Sequence, residues 1–148
     1  MFRKIMILTM VFLMLLAMTL LKVSAAAEAK TALLPFTIYS QENLGYLQKN
    51  ILETLATNLA KQKIPITPLT QSQNWIGKNI PGDWAELRAI GKEMGADWMV
   101  YGSLTKLGQR ISLNGNLLET QTEASPLTFA LTEEGLENIP RLLERFSR

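Results

Sequence analysis

Few residues of this 148-residue chain are of types that do chemistry. Glu133, Glu134 and Glu137 form one acidic cluster, and Asp83 and Asp97 are the only aspartates. Two carboxylates facing one cleft could serve as acid and as base or nucleophile on a glycosidic bond. An oxygen-only set could hold a hard cation. The positions favour quieter roles: the three glutamates suit a solvated first helical turn, where acids complement the helix dipole. Asp83 suits a helix N-cap, and Asp97 a turn after Gly95. Histidine and cysteine are both absent. That removes the commonest base near neutral pH, Cys/His zinc sites and the Ser-His and Cys-His nucleophile pairs. No catalytic, cofactor or metal residue is therefore assigned.

Glycines and aromatics remain. Gly102-Ser103 lies within an apolar strand, and no helix follows to form a phosphate nest, so a bulge or close crossing is expected there. Gly91-x-x-x-Gly95 encloses Lys92 and Glu93, which excludes a lipid-facing helix pair. Of the three tryptophans, Trp84 and Trp98 fall on expected core faces. Trp75 lies in an irregular polar stretch, Gln71 to Ile80. That stretch is the candidate partner surface, with Trp75, Ile76, Lys78 and Asn79 as its residues.

The elements that must position these residues follow from hydrophobic period. Thr31 to Tyr39 reads as a strand, with Pro35 placing it at an edge or bulge. Leu44, Leu47, Ile51, Leu55 and Leu59 recur at three or four, which predicts an amphipathic helix within Asn43 to Lys61. Ile64 to Leu69 reads as a short strand limited by Pro65 and Pro68. Asp83 with Glu86 starts a second helix whose stripe is Trp84, Leu87, Ile90 and Met94, and Gly95 stops it. Trp98 to Leu107 and Arg110 to Glu119 form a hairpin about Gly108-Gln109, and Leu127 to Leu131 adds a third strand. Glu133 to Arg148 closes the chain as a helix; Pro140 allows a start near Asn138 instead. The expectation is an α/β (α+β) domain in the order β-α-β-α-β-β-β-α, with a mixed sheet of about five strands packed by three helices.

Arg3 and Lys4, the apolar run of residues 5–21 and the Ala-x-Ala triplets at residues 25–29 have the layout of a secretory signal peptide. Residues 1–29 are read as that leader and residues 30–148 as one exported domain. The alternative is an inner-membrane anchor through residues 5–21. With no cysteine, acylation of a cysteine after the leader is excluded. The whole-chain charge of +2 arises from Arg3, Lys4 and Lys22 against Glu28, so residues 30–148 are neutral. A neutral domain lacks the basic field that nucleic acid requires.

Leu33-Leu34-Pro35-Phe36, then Gly91 to Ser103 with its Gly95-Ala96-Asp97, and the hairpin to Leu118 resemble the amino-terminal domain of TolB and its relatives. The resemblance is closer still to the domain preceding the POTRA repeats of some BamA-type outer-membrane assembly proteins. Segments like Leu47 to Leu55 and Gly135 to Pro140 occur there too. It implies an anticodon-binding-domain-like fold, partner contacts in the envelope and no catalytic residues. The expectation is a non-enzymatic periplasmic interaction module in outer-membrane protein assembly or envelope transport, with no cofactor and no nucleic acid. A carboxylate-dependent hydrolase of envelope glycans is the alternative.

Overall fold

The computed structural model of the protein describes residues 27–148. The expected leader core at residues 5–21 lies outside the described residues.

The first strand is broken in two. β1 (Thr31–Leu33) and β2 (Thr37–Tyr39) both pair in parallel with β3 (Trp98–Leu107), β1 against Trp98 to Val100 and β2 against Ser103 to Thr105. Pro35 has no amide to donate to the ladder, so the break falls around it on the outer side of β3. Leu34 N still donates to Val100 O at 2.8 Å. The break also sends side chains both ways: Leu33 and Phe36 enter one core cluster, and Leu34 enters the other.

Helix α1 (Leu47–Lys61) buries the expected stripe of Leu47, Ile51, Leu55 and Leu59, with Leu52 and Ala56 beside it. The expected strand at Ile64 to Leu69 is instead a single parallel bridge, Thr31 with Ile66. Thr31 N donates to Pro65 O and Thr67 N to Thr31 O, both at 2.9 Å. Pro65 and Pro68 cannot donate, so the ladder goes no further. Pro68 instead caps a short helix, α2 (Leu69–Gln73), within a stretch expected to be largely irregular.

Helix α3 (Trp84–Glu93) has the expected punctuation. Asp83 accepts from Ala85 N at 3.3 Å, and Gly95 takes φ of 71° after its last turn. Its expected stripe is corrected at one end. Trp84 is 44% exposed, while Leu87, Arg88 and Gly91 supply the buried face.

β3 and β4 (Arg110–Glu119) form the expected hairpin, closed at Gly108 with φ of 59°. β5 (Leu127–Glu134) pairs with β4 and runs three residues past Leu131, which puts Glu133 and Glu134 in the strand, not in a helix. One 3-10 turn (Leu136–Asn138) leads into α4 (Ile139–Phe146), with Pro140 in its first turn. The result is an α/β (α+β) domain with a mixed five-stranded sheet and four helices. Helices α1 and α4 cover one sheet face, over a core that includes Ile51, Leu55, Leu104 and Leu113. Helix α3 covers Met99 and Leu118 on the other. Full burial of such side chains contributes about 1.5–3 kcal/mol each.

Two glycines decide how closely the layers approach. Gly102 and Gly115 are directly paired across β3 and β4. A Cβ on Gly102 would run into the backbone of Asn114 and Gly115 and the ring of Phe36, and one on Gly115 would overlap the Phe146 ring. Phe146 stands edge-on to Phe36 at 5.8 Å and to Phe129 at 6.1 Å. The glycine pair therefore makes the seat on which α4 docks.

Candidate functional site

The four residues of the candidate partner surface divide into anchors and rim. Trp75 packs half-buried against the cluster of Leu34, Leu87 and Met94, and Ile76 packs against the cluster around α1. The segment thus touches both cores at consecutive residues. At Gly77, with φ of 75°, the chain turns out to solvent. Its amide donates to Gln48 Oε1 at 3.1 Å, and Gln48 Nε2 donates to Phe36 O at 3.1 Å. Gln48 on α1 therefore ties this loop to the break between β1 and β2.

Lys78 and Asn79 follow and are exposed. The Lys78 ammonium lies 5.8 Å from the Trp75 ring centroid, within cation–π range. Both line a cleft of about 500 Å³ between the Gly77 to Ile80 loop and the segment from Thr37 to Gly45. Polar groups from Ser40, Glu42, Asn43 and Gln48 face it, and Tyr39 stands at the rim, 58% exposed. Lys106 on β3 forms an ion pair with Glu42. The arrangement offers a cation, amides and one aromatic over a shallow floor, which suits polar recognition of another molecule's surface.

The acids singled out in the sequence are held elsewhere. Glu133 receives Arg141 Nη2 at 2.6 Å and Arg145 Nη1 at 3.0 Å, so it fastens α4 to β5. Asp97 accepts from Lys30 N at 2.9 Å, while its own amide donates to Lys30 O at 2.8 Å, which holds the start of β1 in register. Asp83 is the helix cap. Among the described residues, no three His, Cys, Asp or Glu side chains lie close enough to hold a metal ion.

Three features escaped the sequence reading. The first is the aromatic seat, although a hairpin turn at Gly108-Gln109 already implies that Gly102 faces Gly115. The second is Thr120, expected in a polar turn but fully buried, whose hydroxyl donates to Ala96 O at 2.7 Å under Gly91. The third is Arg88, buried in α3, whose Nη2 donates to Ala124 O at 2.6 Å. No sequence signal separates a buried arginine on a helix from an exposed one.

Burial pushes the Tyr101 hydroxyl above its usual pKa of 10.0, against the opposing effect of the Arg88 cation. The folded chain thus keeps its proton to higher pH than the unfolded chain does. The contribution is complete below pH 10 and is lost as pH rises through the folded pKa. The urea midpoint of wild type relative to that of Tyr101→Phe should therefore stay constant up to about pH 9.5 and fall above it. A constant difference across that range would contradict the assignment.

No protein-family model and no curated protein sequence matches the chain. Solved structures do match in fold. The LpoB C-terminal domain from Salmonella enterica superposes with a TM-score of 0.54 at 13% identity, covering 80% of this chain and 91% of that one. Lipoprotein GNA1162 from Neisseria meningitidis gives 0.55 at 18% identity, covering 74% and 84%. TolB from Acinetobacter baumannii gives 0.50 at 18% identity, covering 81% of this chain but 26% of that one. The fold is thus TolB-like and LpoB-like, and at these identities the likeness is one of fold. Among the described residues, no helix is long and apolar enough to cross a membrane.

Proposed function

We propose that this chain is a non-enzymatic envelope module, exported by a leader at residues 1–29, whose domain at residues 30–148 binds a protein partner in the periplasm. The observation that carries the reading is the cleft in which Lys78 and Asn79 stand exposed on a loop anchored by Trp75, Ile76 and Gln48. Such a loop presents polar groups at little further ordering cost, because its backbone is already tied down. The layout of the first thirty residues supports export, and the fold is one that a lipoprotein and TolB also carry. The finer resemblance, to the domain preceding POTRA repeats in BamA-type proteins, suggests partners in outer-membrane protein assembly or envelope transport. Hydrolysis of glycans finds no support in Glu133, which is committed to two arginines.

The test is crosslinking in intact envelopes through a photoreactive residue at position 79, followed by binding measurements with the partner so identified. Lys78→Glu with Asn79→Ala should weaken that binding at least about tenfold while the melting temperature stays put. Recovery of the chain in the cytoplasm, or unchanged binding by the double variant, would refute the reading.

A further inference from the structure

One wall of the cleft beside Lys78 is a sheet edge. β2 pairs with β3 on one side only, and all three of its residues, Thr37, Ile38 and Tyr39, line the cleft. Alternate residues of a strand turn their backbone groups towards the same neighbour. Phe36 O points away from β3, to Gln48 Nε2 at 3.1 Å. Two residues on, the N–H and C=O of Ile38 therefore face away from β3 as well. Neither has a hydrogen-bond partner among the described residues, although Ile38 is half-buried.

The side chain of Gln48 shows what the gap accepts. Its amide lies between the β2 edge and the opposite loop, donating to Phe36 O and accepting from Gly77 N, as a peptide group of an intervening strand would. The same two walls, Thr37 to Tyr39 and Gly77 to Ile80, bound the cleft of about 500 Å³.

We propose that an extended segment of the partner protein adds to β2 as a further strand, its main chain pairing with Ile38 and an acidic side chain meeting Lys78. This rests on the reading of the cleft as the partner site. In strand addition, main-chain hydrogen bonds give affinity and side-chain contacts give selection. Of the charged residues in the lining, Glu42 is matched by Lys106, which leaves the Lys78 cation for one carboxylate of the segment. Pro35 lies before β2 and leaves the N–H of Ile38 intact.

Heptapeptides selected from a random library on the immobilised full chain supply the probe. The tightest should contain Asp or Glu, and it should slow hydrogen exchange at the Ile38 amide. Ile38→Pro deletes an N–H that has no internal partner and should raise the Kd of this peptide at least about tenfold; Ile38→Val keeps the N–H and should leave it within about twofold. Lys78→Glu should reverse the preference between the peptide and its acid-to-lysine form. If the proline variant does not fold, N-methylation along the peptide decides: losses should fall at alternate residues, because one edge of an added strand faces β2. Binding that responds to Lys78→Glu but to neither Ile38→Pro nor any N-methyl group overturns strand addition and leaves the partner-site reading standing. Unchanged exchange at Ile38, selected peptides without Asp or Glu, or no heptapeptide bound below about 1 mM also overturns it, as does a peptide that acts only by dissociating a second copy of the chain.

Discussion

Gly102→Ala should destabilise the protein more than Gly115→Ala does, and Phe146→Ala should relieve only the second loss. The two glycines are partners in one cross-strand pair, yet a new methyl group meets different obstacles at each. At Gly115 the obstacle is the far end of the Phe146 ring. That ring is held between Phe36 and Phe129 and can yield only by tilting α4. Overpacking of this kind costs about 1–3 kcal/mol. At Gly102 the nearest atoms include the backbone of Asn114 and Gly115, so the two central strands themselves must part. The cost should reach the upper end of that range, about 3 kcal/mol or more.

A double-mutant cycle in urea separates the two cases. In the Phe146→Ala background, Gly115→Ala should cost under about 0.5 kcal/mol, because the ring it struck is gone and alanine restricts the unfolded chain more than glycine does. Gly102→Ala should keep most of its cost there. Equal rescue at both positions would mean that the strands separate easily and that the ring is the sole constraint.

Arg88→Ala is the second large effect, and it should be felt at a distance, in the loop between β4 and β5. The guanidinium is buried in α3 and donates to Ala124 O at 2.6 Å, and it lies 3.6 Å from Glu123. The hydrogen bond, not the ion pair, carries the interaction, since Glu123 stands almost wholly in solvent, where such pairs contribute little. Loss of a charged hydrogen bond costs about 1.5–3 kcal/mol, and loss of the packed arginine stem adds to it. Arg88→Met keeps the stem and also removes Nε, which has no partner; it should cost less than alanine. Hydrogen exchange should show residues 121–126 opening in both variants, while Glu123→Gln leaves the melting temperature unchanged. A Glu123→Gln variant as unstable as Arg88→Ala would reverse the assignment.

These two sites also mark where sequence reading stops. Helices α1 and α3 and the β3–β4 hairpin were legible because their signals are local: a repeat of three or four, an aspartate before Trp84, and glycines just past the last turn or between strands. Pro35 announced an edge for the same reason. Ile64 to Leu69 misled, since its apolar alternation resembles a strand while Pro65 and Pro68 withhold the donors a ladder needs. The acidic run offers Glu133 as a start for the closing helix, and Pro140 offers one near Asn138. The later start holds because β5 continues to Glu134.

Of the candidate site, isolation in a polar stretch picks out Trp75, Ile76, Lys78 and Asn79, and the structure makes the first two anchors and leaves the last two exposed. Trp84 sits on an expected core stripe but lies at the open first turn of α3, whereas Trp75 packs inward.

From the sequence alone come the lack of histidine and cysteine chemistry, the neutrality of residues 30–148, the export-type leader pattern and most of the element types. Composition and short-range periodicity are sufficient for each of these. The tertiary structure alone decided that Glu133 clamps two arginines, that Gln48 ties Gly77 to the break beside Pro35, and that the free edge of β2 faces the Gly77 to Ile80 loop across a cleft. Each depends on groups brought together from separate elements. Such contacts are set by how sheet and helices stack, which no local pattern encodes.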